Sequence, residues 1–236
     1  MTRKTKIIAT VGPSIHSKEA INEIIDAGAN VLRLNFSHGS NDEYKQIVDW
    51  ARSSNKKIAI MQDIQGPKIR TGISSENTFL EKSKKVILTN IETESNNEIV
   101  FINYEHLLRD INVEDRVFID DGQIVLKVVE KENDKLEALI LIGGELRDNQ
   151  GVAFPDSNLS VSAITEKDIE HLKFGSEHDV DFVAVSFVRN ASDINLVKEI
   201  IPKDVKVIAK IELKTALDNI DEILDVGMES WWLEET

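Results

Sequence analysis

Side chains able to grip an oxyanion or a hard metal ion recur in this chain at the ends of apolar, strand-like runs. Residues 58–72 read I-A-I-M-Q-D-I-Q-G-P-K-I-R-T-G: a buried-type run ends in Asp63, Gly66-Pro67 breaks it, and Lys68 and Arg70 follow. The run N-V-L-R-L-N-F-S-H-G offers Arg33, Asn35, Ser37 and His38; V-S-F-V-R offers Ser186 and Arg189; I-A-K-I-E offers Lys210 and Glu212. Taken singly, each has a plain reading. Arg33 reads equally as a salt-bridged barrel residue, His38 as a loop histidine, and Asn35 and Ser37 as turn residues. Lys210 and Glu212 are harder to dismiss, because two residues apart on a strand point to one face. Burying both as spectators is costly unless they are paired or bound to something. Together, four strands deliver Arg or Lys to one end of a protein whose formal net charge is −14. Cations converging with Asp and Glu suit an oxyanionic phosphate substrate beside a hard divalent metal.

The elements that must position these residues follow a βα rhythm. A first strand, K-I-I-A-T-V, closes at Gly12-Pro13. Ser17 caps a helix bearing Ile21, Ile24 and Ile25 on one face and stopping at Gly28. After the second strand, Ser40 and Glu43 form a capping-box pattern for a helix ending near Ser53. From residue 73 to 157 the pattern changes to period two, with turn signals at Asp121-Gly122 and Asn133-Asp134. That segment reads as a small inserted antiparallel β domain. Helical rhythm then resumes with a Thr165/Asp168 capping box and Gly175 as the stop. Strands at 181–189 and 205–212 and a helix over 213–224 follow. Three strands before the insert and two after it predict parallel βα units. About 150 residues remain without the insert, against about 250 in a closed (β/α)₈ barrel, so the expected fold is α/β, a partial TIM barrel.

Composition narrows the class. The chain has 236 residues, 41% of them hydrophobic and 30% charged, enough for a sizeable core. Its acidity argues against nucleic acid, whose phosphates need a basic face. No apolar run reaches membrane-spanning length, and the start lacks a signal-peptide hydrophobic region. The absence of Cys excludes disulfides and thiolate metal sites and fits a cytoplasmic protein.

The motifs K-I-I-A-T-V-G-P-S, N-V-L-R-L-N-F-S-H-G, D-I-Q-G-P-K-I-R-T-G, I-D-D-G, S-A-I-T-E-K-D, V-S-F-V-R and I-A-K-I-E occur in one order across residues 5–226. In that order and spacing the sequence resembles the pyruvate kinases. The resemblance implies a barrel A domain over residues 1–72 and 158–226, a β-rich lid or B domain over 73–157, and a tail over 227–236 outside the family pattern. It implies phosphoryl transfer from phosphoenolpyruvate to ADP, giving pyruvate and ATP, in a homo-oligomer when the protein is full length. Residue by residue, Arg33 would contact the transferring phosphate, and Lys210 would face the phosphoryl group and the developing enolate. Glu212 would bind Mg²⁺ or Mn²⁺. Asn35, Ser37 and Asp63 occupy the family's monovalent-cation site, and His38 and Arg70 lie near nucleotide phosphates.

Three departures from the family pattern carry expectations. The usual D-T-K-G-P-E-I-R is D-I-Q-G-P-K-I-R, with Ile64 for a Thr ligand and Lys68 for a Glu, so a fixed ammonium stands in for K⁺ and K⁺ is not required. The insert's N-K-G-V-N-L-P is N-Q-G-V-A-F-P, so Gln150 replaces a nucleotide-contacting Lys. Finally, residues 227–236 read G-M-E-S-W-W-L-E-E-T where the family has D-G-I-M-V-A-R-G-D, with the second metal carboxylate. Allowed codons for this tail, read in a shifted frame, encode the family segment, so the ending reads as a frameshift product and the chain as an inactive fragment. Two other classes stand beside this reading. One is a non-catalytic fragment that binds a phosphate ligand. The other is a Mg²⁺-dependent aldolase or lyase acting on pyruvate enolates, which gives no reason for the insert.

Overall fold

The computed structural model describes residues 4–37, 39–132, 134–227 and 229–232, the last of these as backbone. The chain divides into two compact units. One holds the chain up to Gly66, Ala163–Glu212 and the chain from Ala216; the other is Pro67–Ser162 with Leu213–Thr215.

The first unit is a partial (β/α)₈ barrel. It begins with β1 (Ile8–Val11), α1 (Lys18–Ala27), β2 (Val31–Asn35), α2 (Asn41–Arg52) and β3 (Ala59–Ile64). The local signals act as the sequence says they should. Ser17 accepts the Ala20 N–H at the start of α1, and Gly28 ends that helix in the left-handed region at φ 105°. Ser40 and Glu43 close a reciprocal capping box on α2.

The second unit carries β4 (Phe79–Leu80), β5 (Lys85–Thr89), β6 (Ile99–Phe101), α3 (Leu107–Asp110), β7 (Arg116–Ile119), β8 (Ile124–Lys131), β9 (Leu136–Ile142), β10 (Gly144–Glu145) and β11 (Val152–Ala153). Six of these strands form one sheet in the order β11-β7-β8-β9-β5-β6. Its pairs are antiparallel except β5 with β6, which run parallel. Alternation buries Val117, Ile119, Ile124, Leu126, Val128, Leu136, Ala138 and Ile140 in a core separate from the barrel's. Asp120, Asp121 and Gly122 all take positive φ in the β7–β8 turn. Asn133, the first residue of the second expected turn, lies outside the described residues.

The barrel then resumes with α4 (Glu166–Glu177), β12 (Phe182–Val185), α5 (Ala191–Ile200), β13 (Lys206–Ile211), α6 (Lys214–Asp218), α7 (Ile220–Val226) and β14 (Glu229–Trp232). Its sheet is parallel throughout, in the order β1-β2-β3-β12-β13-β14. Beyond the five expected strands, the backbone of Glu229–Trp232 pairs with Ile208–Ile211 as a sixth. The expected single helix over 213–224 is two, α6 and α7. Gly175 does not stop α4, which runs on to Glu177. The side chain of His178 closes it, stacking on Phe174 and bonding the Phe174 carbonyl at 2.9 Å.

The alternation along each barrel strand sets up the site. Leu32, Leu34, Ile60, Ile64, Val183, Val185, Val207, Ala209 and Ile211 pack with the helices in the main core. Met61, Ala184 and Ile208 form a second, smaller cluster with Val31 and Phe182. On those same strands, Arg33, Asp63, Lys210 and Glu212 continue this second phase toward the C-terminal ends.

Candidate active site

Asp63 is the centre of the arrangement and is buried. Arg33 comes to it from β2, donating from Nε to Oδ2 at 2.7 Å, with Nη2 at 2.5 Å from the same oxygen. Arg33 also donates from Nη1 to Thr10 Oγ1 at 3.0 Å, which ties β1 to the cluster. From β13, Lys210 Nζ lies 3.4 Å from Asp63 Oδ1 and 3.1 Å from Glu212 Oε1, and it donates to Ser186 Oγ at 2.8 Å. Ser186 in turn donates to the Ile64 carbonyl at 2.7 Å. Residues of β1, β2, β3 and β13 and of the end of β12 therefore meet in one network, buried at Asp63, Ser186 and Lys210 and open at Thr10.

Glu212 is fixed from a second side, since its Oε2 accepts the Phe187 N–H at 2.8 Å. Phe187 sits at φ 55°, a conformation a bulky residue adopts only when its surroundings impose it. Gly66 packs against this turn. Its φ is 68°, and a Cβ there would come within 3.2–3.5 Å of the Ala163 carbonyl, the Phe187 ring and the Ser186 carbonyl. Only glycine meets both demands without strain.

The other residues marked by the sequence fall in different places. Asn35 is the ladder partner of Asp63, but its side-chain oxygen accepts the Ser37 N–H at 3.2 Å. Tyr44 holds that loop by donating to the Asn35 carbonyl at 2.7 Å, with its ring stacked on Phe36. Arg189 lies just ahead of α5 and pairs with Asp193 in the first turn of that helix. Lys68 and Arg70 belong to the second unit, where Arg70 donates to the Asn149 carbonyl at 2.9 Å. His38 lies outside the described residues. Ile64 is fully buried in the helix-facing core, so at this position the network is reached by the backbone carbonyl. Gln150 is buried within the insert, its side-chain oxygen taking the Arg147 N–H at 2.9 Å. Strand-end reading does not name Thr10 or the Phe187 N–H. A threonine inside a β-branched run and a backbone amide carry no compositional signal.

The family model described as pyruvate kinase, barrel domain, matches residues 2–229. The chain belongs to the pyruvate kinase family. It is 42% identical over 235 residues to the pyruvate kinase of Staphylococcus aureus strain MRSA252, covering 95% of this chain and 40% of that protein. The pyruvate kinase of Staphylococcus epidermidis strain ATCC 12228 is 40% identical over the same length. The chain thus spans about 40% of the length of the curated relatives it matches.

Family membership raises the question of a divalent metal. Glu212 is a hard carboxylate at the right end of a strand, but both of its oxygens are engaged, by Lys210 and by the Phe187 N–H. Among the described residues no group of three His, Cys, Asp or Glu is placed to hold a metal ion. Glu212 fits as one ligand and does not make a site alone. No helix among the described residues is long and apolar enough to cross a membrane.

Proposed function

We propose that this chain carries the phosphoryl-binding side of a site that transfers phosphate from phosphoenolpyruvate to ADP. The observation that supports this most is the seating of Lys210. It is held against Asp63, Ser186 and Glu212 in a buried position, with Arg33 on the far oxygen of the same aspartate. An incoming phosphoryl group would share Arg33 with Asp63, and Lys210 would face the charge that develops on the enolate oxygen. Phosphoryl transfer asks mainly for positioning and for neutralisation of spread negative charge, which two pre-aimed cations supply. A bound Mg²⁺ or Mn²⁺ would add positive charge beside Glu212, with water and substrate completing its ligands. His38 and Arg70 would serve the nucleotide phosphates, and the insert would serve as the lid. Such substrates are consistent with a cytoplasmic enzyme of glycolysis.

The isolated chain is expected to bind phosphoenolpyruvate without turning it over, because one carboxylate does not fix the octahedral shell of Mg²⁺. ³¹P NMR titration of the 236-residue chain, with a coupled assay for pyruvate, tests both halves. Binding lost in Lys210→Ala, with no pyruvate formed, is the expected result. Failure of phosphoenolpyruvate to bind sinks the proposal, and turnover abolished by Lys210→Ala sinks the claim of inactivity.

A form extended to its relatives' full length is expected to work without K⁺. Asp63 already carries Arg33 and Lys210, and Lys68 brings an ammonium where the family has a Glu. Activity measured against K⁺ concentration decides this, and strong activation rejects it.

A further inference from the structure

Asp168 is 1% exposed, yet its carboxylate does more than cap α4. Oδ2 accepts the Thr165 N–H at 2.9 Å and the Thr165 hydroxyl at 2.6 Å, the capping-box contacts. Oδ1 accepts the N–H of Gly66 at 3.3 Å, from a residue 102 positions earlier in the chain. Gly66 is the last barrel residue before the chain leaves for the second unit, and Ala163 is the first on its return. One buried carboxylate therefore holds the chain at its departure and two residues after its return. Gly66, so held, packs against the Ser186–Phe187 turn, which binds Lys210 through the Ser186 hydroxyl and Glu212 through the Phe187 N–H.

We propose that Asp168 is a positioning residue: through Gly66 it fixes the Ser186–Phe187 turn, and so the seats of Lys210 and Glu212, against movement of the two crossing segments. A helix cap alone requires only the Oδ2 contacts. The second oxygen aimed at Gly66 is the part a cap does not explain. Phe187 is held at positive φ, which needs a surrounding structure that does not give, and Asp168 supplies one side of that enclosure. The inference concerns the geometry of the turn and stands whether or not the chain binds phosphoenolpyruvate.

Amide hydrogen exchange by NMR on the 236-residue chain tests it. In Asp168→Ala, the Gly66 and Phe187 amides are expected to exchange at least tenfold faster, with Leu34 in β2 unchanged. Thr165→Val removes the hydroxyl from the cap and leaves the Gly66 contact, so it is expected to speed exchange in the first turn of α4 alone. Unchanged Gly66 exchange in Asp168→Ala, or equal acceleration in Thr165→Val, overturns the proposal. Should Asp168→Ala not fold, Asp168→Asn takes its place, since it keeps the shape and one acceptor oxygen for the cap while losing the second acceptor toward Gly66. Faster exchange at Gly66 and Phe187 is then expected, and unchanged exchange at either overturns the proposal equally.

Discussion

Asp63 holds two cations on one carboxylate, and its worth differs sharply from that of the surface pairs. Its side chain is 3% exposed and that of Lys210 is 9%, while Arg33 at 22% keeps some solvent screening. Removing the shared anion leaves the buried Lys210 with Glu212 as its one remaining ion-pair partner among the described residues. Breaking a buried pair in this way costs about 3–5 kcal/mol, whereas an exposed pair is worth about 0–1 kcal/mol. Asp63→Ala is therefore expected to lower the barrel's urea midpoint strongly, with the lower end of that range favoured because Arg33 is partly wetted. Lys45→Ala, which breaks an exposed pair with Asp49, is expected to leave the midpoint nearly unmoved. Equal losses in the two variants would show that burial does not set the strength of the Asp63 network.

At the scale of the element, α4 shows why a glycine can sit inside a helix. Replacing an interior helical glycine with alanine ordinarily gains about 1 kcal/mol. At Gly175 a Cβ would run into the side-chain oxygen of Gln62, which is fully buried on β3 and donates from Nε2 to the His171 carbonyl at 2.6 Å. The missing Cβ at Gly175 leaves the room that the Gln62 side chain fills. Gly175→Ala is expected to destabilise by about 1–3 kcal/mol, the usual cost of overpacking. Gln62→Ala made together with Gly175→Ala should recover part of that loss, giving a non-additive cycle by denaturant unfolding. Additive losses would mean that the two side chains do not compete for the same space. The sequence reading of Gly175 as a stop fails because a local rule was applied to a residue whose constraint comes from another strand.

At the scale of the molecule, two units with separate cores should respond differently to pH. The second unit contains a Tyr104–Asp110–Ser160 network in which Tyr104 and Asp110 are buried. Asp110 accepts from the Tyr104 hydroxyl, from the Ser160 N–H at 2.6 Å and hydroxyl at 2.7 Å, and from Arg109 at 3.0 Å. Burial pushes the Asp110 carboxyl up, but these donors outweigh it and bring it down to about 2. Burial, then the bond to Asp110 and its charge, pushes the Tyr104 phenol up to about 12. A carboxyl lowered on folding contributes stability that is complete above its unfolded value and lost as pH falls toward 2. A phenol raised on folding contributes stability that is complete below about 10 and lost as pH climbs toward 12. The acid limb is on the order of 2 kcal/mol for Asp110. Protection of the β7–β9 amides against hydrogen exchange should therefore weaken between pH 4 and pH 2, and Asp110→Asn should flatten that limb. An acid limb unchanged in Asp110→Asn would remove Asp110 as its cause.

The sequence by itself determined five of the barrel strands, their phase and the starts of α1, α2 and α4. Those features obey rules that act within a turn or two: period two for strands, 3.6 for helices, a Ser or Thr with an acidic partner three residues on for a cap. It also determined which residues stand at the strand ends, because Lys210 and Glu212 share a face for the same reason. Only the tertiary structure decided which charge meets which. Asp63 and Lys210 are 147 residues apart, and Asp168 and Gly66 are 102 apart. Arg189, marked by the same strand-end pattern, turns instead to Asp193 four residues on. Such partners are chosen by ladder register and by the packing of distant elements, and no window along the chain contains either.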